Sequence, residues 1–264
     1  GKWDYGCTNF NCINLFKVSG NPNPAIIYPA FDGQYTPSSS FCIEFWCKVP
    51  RRPTNAGTVL HLPNGFALSL VTGSSVDLNG LPNSYRMLLQ LDSNAYGALT
   101  PETVNLNTIT SDAPSAGSTK VFISSASIMP DQWNHCAVRW SPLVNNGTGS
   151  FIVNHQRQGD FNLYPEFEFD TAVAGQAVNA QGMFVGAFWP GNHNVSRGFF
   201  NANTALKQGV FDKYGGYVDA NKLLSGGLDA EIHELRVWNK DITSQTLKTR
   251  ATASLDLNEE GLMF

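Results

Sequence analysis

The chain has 264 residues, of which 12% are aromatic and only 14% charged, with 24 glycines and 14 prolines. That length suits one large all-β domain, and the turn-rich, charge-poor composition excludes helical bundles and disordered chains. A formal charge of −4 offers no basic field to a nucleic acid, and no apolar run approaches the ~20 residues of a membrane-spanning helix.

In chain order, residues 1–24 read as an N-terminal extension, followed by strands at 25–28 and 41–49. The second alternates cleanly: Phe41, Ile43, Phe45, Cys47 and Val49 share one face, and Cys42, Glu44, Trp46 and Lys48 the other. Further strands are predicted at 58–62, 65–71, 85–91, 120–125, 133–140, 150–154, 161–164, 166–170, 182–188 and 231–238. Asn-Gly and Pro-Gly turn signals punctuate them. The one helix falls at 241–253, capped by Asp241 or Thr243, with Ile242, Thr246 and Leu247 facing inward. Two unpatterned stretches, 92–119 and 189–227, read as long loops of the kind that carry function or contact a partner. The whole, 1–264, reads as a single domain without repeats.

Five cysteines, Cys7, Cys12, Cys42, Cys47 and Cys136, leave at least one thiol free or paired outside the chain. Cys42 and Cys47 face opposite sides of their strand, so they do not pair without strain. Cys7 and Cys12 either close a small loop or are two separate buried thiols. Gly1 is not an initiator residue, which implies a chain processed or excised from a longer parent, and no signal-peptide pattern opens it.

Six motifs in order carry a resemblance. Phe31-Asp-Gly33 with Phe41-Cys-Ile-Glu-Phe-Trp46, Gln132-Trp-Asn-His-Cys-Ala-Val138, Ser150-Phe-Ile-Val-Asn154, Met183-Phe-Val-Gly186 and Ala230 to Trp238 follow one another across residues 25–262. This pattern resembles the concanavalin A-like lectin/glucanase superfamily, in its laminin-G-like and pentraxin-like jelly-roll branch. The resemblance implies an antiparallel β-sandwich with binding loops at its rim, and partners that are glycans, neighbouring protein subunits or calcium. Three positions depart from it. His155 stands where a turn glycine is common, Ala230 replaces a glycine, and His233 replaces a frequent aspartate, which weakens any calcium site on that strand.

Two constellations invite chemistry. In Pro165-Glu-Phe-Glu-Phe-Asp170, the residues Glu166, Glu168 and Asp170 point the same way on a strand. They are metal-ligand or glycosidase candidates, because retaining hydrolysis needs two carboxyls ~5 Å apart. Their order, Glu-x-Glu-x-Asp, differs from the superfamily's glucanase pattern, and Pro165 suits a solvated edge strand. Glu231-Ile-His-Glu234 lacks the second histidine of a zinc motif. Glu231 and His233 are expected to face away from Glu234, which pairs with Arg236. His135 is expected to be a hydrogen-bonded core residue, and Trp46, Trp140 and Trp238 to be packing residues.

The binding residues are expected in the rim loop: Trp189, Asn192 and His193, with Tyr214 and Tyr217. Sugar rings stack apolar faces on aromatics, while Asn and His bond their hydroxyls. The alternative is that these aromatics pin the loop or fill a subunit contact. The expectation is a non-catalytic recognition module for carbohydrate on a cell or virion surface, with no enzyme activity. An assembly or decoration protein comes second, and a glycoside hydrolase third.

Overall fold

A computed structural model describes residues 13–14, 26–28, 40–53, 56–62, 66–91, 120–163, 183–186, 210–211, 217–218, 228–251, 253 and 258–263. Two six-stranded antiparallel sheets dominate it. The first has the order β1 (Ile13–Asn14), β14 (Glu231–Trp238), β3 (Phe41–Lys48), β8 (Trp133–Trp140), β9 (Thr148–Val153) and β10 (Gln156–Asn162). The second runs β2 (Ile26–Tyr28), β11 (Met183–Val185), β4 (Gly57–Leu62), β5 (Phe66–Thr72), β6 (Tyr85–Leu91) and β7 (Lys120–Ile123). A separate two-stranded ribbon joins β12 (Val210–Phe211) to β13 (Tyr217–Val218).

The all-β reading holds, with refinements. Residues 13–14 of the expected N-terminal extension add an edge strand beside β14, and the ribbon lies within the long 189–227 segment. Residues 161–164 are not a strand of their own: Phe161 and Asn162 end the longer β10, which folds back on β9 through a two-residue turn. The 166–170 strand, both candidate disulfide cysteines and the 92–119 loop lie outside the described residues.

The β3 alternation translates directly into layers. Phe41, Ile43, Phe45, Cys47 and Val49 enter the core between the sheets, beside Val138, Trp140, Phe151 and Phe161. Across the sheets they meet Leu68, Leu70, Met87 and Leu89. Cys42 goes to the opposite face, so the predicted separation of Cys42 and Cys47 stands. Cys47 instead lies 3.7 Å, sulfur to sulfur, from Cys136. Cys42, Cys47 and Cys136 are all buried free thiols.

The helix α1 (Ser244–Arg250) is shorter than the predicted 241–253. Thr243 rather than Asp241 caps it, its hydroxyl accepting from the Thr246 amide at 3.2 Å. Ile242 and Leu247 are buried against Cys42, Ala137, Ile152 and Trp238, whereas Thr246 stays half-buried in the capping turn. Asp241 is engaged elsewhere, against the Arg139 guanidinium. Thr243→Ala is expected to lower the unfolding free energy by about 1 kcal/mol in urea titration, with an unchanged m-value.

Candidate functional site

The site is built on the outer face of the first sheet, where β14, β3 and β8 lie side by side. Their register sets the side chains in rows: Glu231–Lys48–Trp133, then His233–Trp46–His135, then Arg236–Glu44–Ala137, then Trp238–Cys42–Arg139. A β-bulge makes this possible. Two residues of β14, Glu234 and Leu235, stand between the pairs His233↔Trp46 and Arg236↔Glu44, where β3 has one. Glu234 takes up the extra residue in the left-handed region at φ 51°. Strict alternation would put Ile232 and Val237 on opposite faces. With the bulge both enter the core, while Arg236 and Trp238 turn outward.

The bulge also corrects one expectation. His233 does not face away from Glu234, because its Nε2 lies 3.5 Å from Glu234 Oε1. The predicted Glu234–Arg236 pair is present, with Arg236 Nη2 donating to Glu234 Oε2 at 2.5 Å.

The lower two rows are closed. α1 and Leu262 cover them, and Arg250 lies 4.3 Å over the Trp238 ring. Beneath the open rows sits a buried polar cluster. Glu44 Oε1 accepts from Arg236 Nη1 at 3.2 Å and from Trp238 Nε1 at 3.0 Å. His135 Nε2 approaches Glu44 Oε2 at 3.6 Å, beyond a good hydrogen bond but within ion-pair range. Burial alone would raise the Glu44 carboxyl; the contacts from His135 and Arg236 outweigh it and hold the group below the ordinary glutamate range. His135 is thus a core residue, as expected, and Glu44 and Arg236 are scaffold.

The upper two rows are half-open. Trp46, Trp133, His233, Glu231 and Lys48 are partly exposed there, joined by Glu234 from the bulge and His155 from the β9–β10 turn. Trp46 lies 5.1 Å from the His135 ring, His155 lies 5.4 Å from it, and Trp133 meets His233 edge-on at 6.5 Å. Trp140 and Trp238 are buried packing residues as predicted; Trp46 is only half-buried, on the patch. Four buried polar atoms here lack a hydrogen-bond partner: Glu44 Oε2, His135 Nδ1, His155 Nδ1 and Arg236 Nε. Such groups call for water or a ligand.

His155 is strained as well. The β9–β10 turn holds Asn154 and His155 at φ 49° and 68°, the geometry for which Asn-Gly is the favoured pair. His155→Gly is therefore expected to raise the unfolding free energy by about 1 kcal/mol in chemical denaturation, while weakening any ligand held at this edge.

Among the predicted site residues, Trp189, Asn192, His193 and Tyr214 lie outside the described residues, as do Glu166, Glu168 and Asp170. Tyr217 opens β13, opposite Phe211. No cluster of three or more metal-ligating side chains occurs among the described residues. Trp133 and the His233–Glu234 pair were missed as site residues. The available signal was an outward tryptophan on the same face as charged neighbours in two adjacent strands.

No family model matches the sequence, and no curated protein matches it either. Solved structures do. A Bacteroides ovatus protein described as carbohydrate-binding aligns with 92% of this chain and 49% of its own, at 16% identity and TM-score 0.50. A heptameric SAP-like pentraxin of Limulus polyphemus covers 90% and 80%, at 15% identity and TM-score 0.47. The CBM40 domain of a Ruminococcus gnavus sialidase, solved with α2,3-sialyllactose, covers 87% and 97%, at 9% identity and TM-score 0.40. With the sheet orders above, the fold is the concanavalin A-like, lectin-type jelly roll. This chain aligns with about half of the Bacteroides ovatus protein.

Proposed function

We propose that this jelly roll is a non-catalytic recognition module that binds carbohydrate at a cell or particle surface. The observation that supports it best is the half-open patch, where Trp46 and Trp133 stand among the hydrogen-bonding side chains of His233, Glu234 and His155. Sugars are recognised by this combination: an aromatic face for the C–H surface and polar groups for the hydroxyls. The fold shared with a protein described as carbohydrate-binding agrees with this reading. The patch carboxylates are tied to basic partners, Glu231 to Lys48 and Glu44 and Glu234 to Arg236, which suits binding better than acid–base turnover. The rim residues Trp189, Asn192, His193, Tyr214 and Tyr217 remain proposed as a second contact region. Calcium, with Glu166, Glu168 and Asp170 as its proposed ligands, is tested by whether calcium raises the melting temperature. No described helix is long and apolar enough to cross a membrane.

The test is a glycan array probed with folded protein. Binding to a defined glycan set, reduced at least tenfold by Trp133→Ala, is the expected result; an array without hits removes the lectin reading.

One observation favours a second reading, an assembly or decoration subunit that packs against neighbours. Leu78 and Leu143, on the β5–β6 and β8–β9 connections, are 105% and 92% exposed. Light scattering at micromolar concentration decides it: a closed oligomer that Leu78→Asp or Leu143→Asp dissociates supports assembly, and a monomer throughout excludes it.

A further inference from the structure

We propose that His135 and His155 together hold a divalent transition-metal ion, with zinc as its representative, where β8 meets the β9–β10 turn. The proposal goes beyond the carbohydrate reading and does not depend on it.

The pair is assembled from the two flanks of β8, which lies between β3 and β9 in the sheet. Glu44 approaches His135 from the β3 flank, with its Oε2 3.6 Å from His135 Nε2. The two nitrogens of an imidazole point to opposite sides of the ring, so Nδ1 is turned away from Glu44. On the other flank stands His155, its ring centroid 5.4 Å from that of His135 and the two planes 31° apart. Two imidazoles that ligate one ion at a tetrahedral angle, each nitrogen about 2.0–2.1 Å from it, have centroids roughly 5 Å apart. His135 is 1% exposed, yet its Nδ1 has no hydrogen-bond partner, and the buried Nδ1 of His155 has none either. The neighbouring Asn154 side chain does not serve them. Its Oδ1 accepts from the His135 amide at 2.9 Å, and its Nδ2 donates to Asn134 Oδ1 at 3.1 Å.

The surroundings suit a metal ligand. An imidazole whose Nε2 carries its proton toward a carboxylate presents a bare lone pair at Nδ1, and the carboxylate makes that nitrogen the better base. Glu44 occupies this outer position and is itself anchored by Arg236 and Trp238. Burial, with the neighbouring charges of His135 and Lys248, holds His155 below the ordinary histidine range and so favours the neutral, ligating ring. Lys248 is exposed, so water screens its repulsion of an ion. The strain at His155 then has a use: at φ 68°, glycine would be favoured but would leave no imidazole there. Imidazole donors select zinc, copper and nickel over calcium or magnesium. Among the described residues no third side chain joins the pair as a ligand. Water therefore fills the remaining positions, and a ligand oxygen can displace it.

The experiment is calorimetric titration of zinc chloride into the chelator-treated, folded protein at neutral pH, with His155→Gly as the comparison. That substitution relieves the left-handed turn, so a lost site is not a lost fold, and the urea midpoint of the variant checks this. The parent should take up an equivalent of zinc that the variant lacks or binds at least roughly tenfold more weakly, the cost of losing even an outer-shell partner. Zinc should also raise the melting temperature of the parent and not that of His155→Gly. Zinc uptake unchanged in His155→Gly would place the ion elsewhere in the chain and overturn the proposal. No uptake by the parent would overturn it as well, and would leave the two Nδ1 atoms to water. The glycan array reads sugar binding separately, so the failure of one reading is distinguishable from the failure of the other.

Discussion

Glu44→Ala is expected to cost about 3–5 kcal/mol of folding stability, the penalty for breaking a buried ion pair from one side. The Glu44 side chain is fully buried and is the shared acceptor for Arg236 Nη1 and Trp238 Nε1. Removing it leaves a guanidinium with 2% exposure facing one remaining carboxylate, Glu234, and an indole donor with no acceptor. Changing both partners is a different experiment. In Glu44→Leu with Arg236→Met no charge is stranded, so the double variant should lie within about 1–2 kcal/mol of the parent. Urea titration of the three proteins checks this. A single variant as stable as the parent would mean the cluster is solvated and not the floor described above.

Acid should destabilise the fold well before the carboxylates titrate, and His61 is the reason. It lies on β4, is 3% exposed, and burial pushes its pKa down to about 3. In the unfolded chain it titrates near 6.5. Between those values the unfolded state binds a proton that the folded state refuses, so stability is full above pH 6.5 and falls as pH drops toward 3. The full shift corresponds to up to about 5 kcal/mol, of which roughly 2 kcal/mol is lost by pH 5. His155, also lowered, by burial and by its neighbours His135 and Lys248, adds a shallower slope in the same direction. Glu44, held below its ordinary range, contributes only at pH values under about 4.5. Asp241, raised by burial, acts with the opposite sign as pH falls, so the His61 contribution is read from the difference between parent and variant. His61→Gln should flatten the pH dependence of the urea midpoint between about pH 4.5 and 6.5, and an unchanged slope would place His61 in contact with water.

Much of the fold was legible because period-2 alternation is a local property. Phe41 to Lys48 read correctly residue by residue, and Cys42 and Cys47 separated as the alternation required. Trp140 and Trp238, read as packing residues, are both buried. Local pattern failed where the backbone departs from period 2. Nothing in Glu231-Ile-His-Glu-Leu-Arg announces that Glu234 adopts a left-handed conformation and shifts the face of every residue after it. The two-residue strands β1, β12 and β13 are too short to show any period.

The site was less legible, for a topological reason. Trp133 and His233 are a hundred residues apart in sequence, and meet only because β14 and β8 both pair with β3. Each strand alone offered one or two tryptophans and a few polar residues, which is the signature of packing as much as of binding. The unpartnered atoms beneath them, His135 Nδ1 and Arg236 Nε, belong to residues that the sequence reads as scaffold. They are scaffold, and they also form the floor of an open patch.

The most direct test of the central claim is the tryptophan indole region of a ¹H–¹⁵N spectrum, followed while a bound oligosaccharide from the array is titrated in. Sugar recognition on the first sheet predicts that the Trp133 and Trp46 indole resonances shift in saturable fashion, while those of the buried Trp140 and Trp238 stay in place. Saturable binding that leaves Trp133 and Trp46 unmoved would contradict it, and would move the site to another part of the molecule.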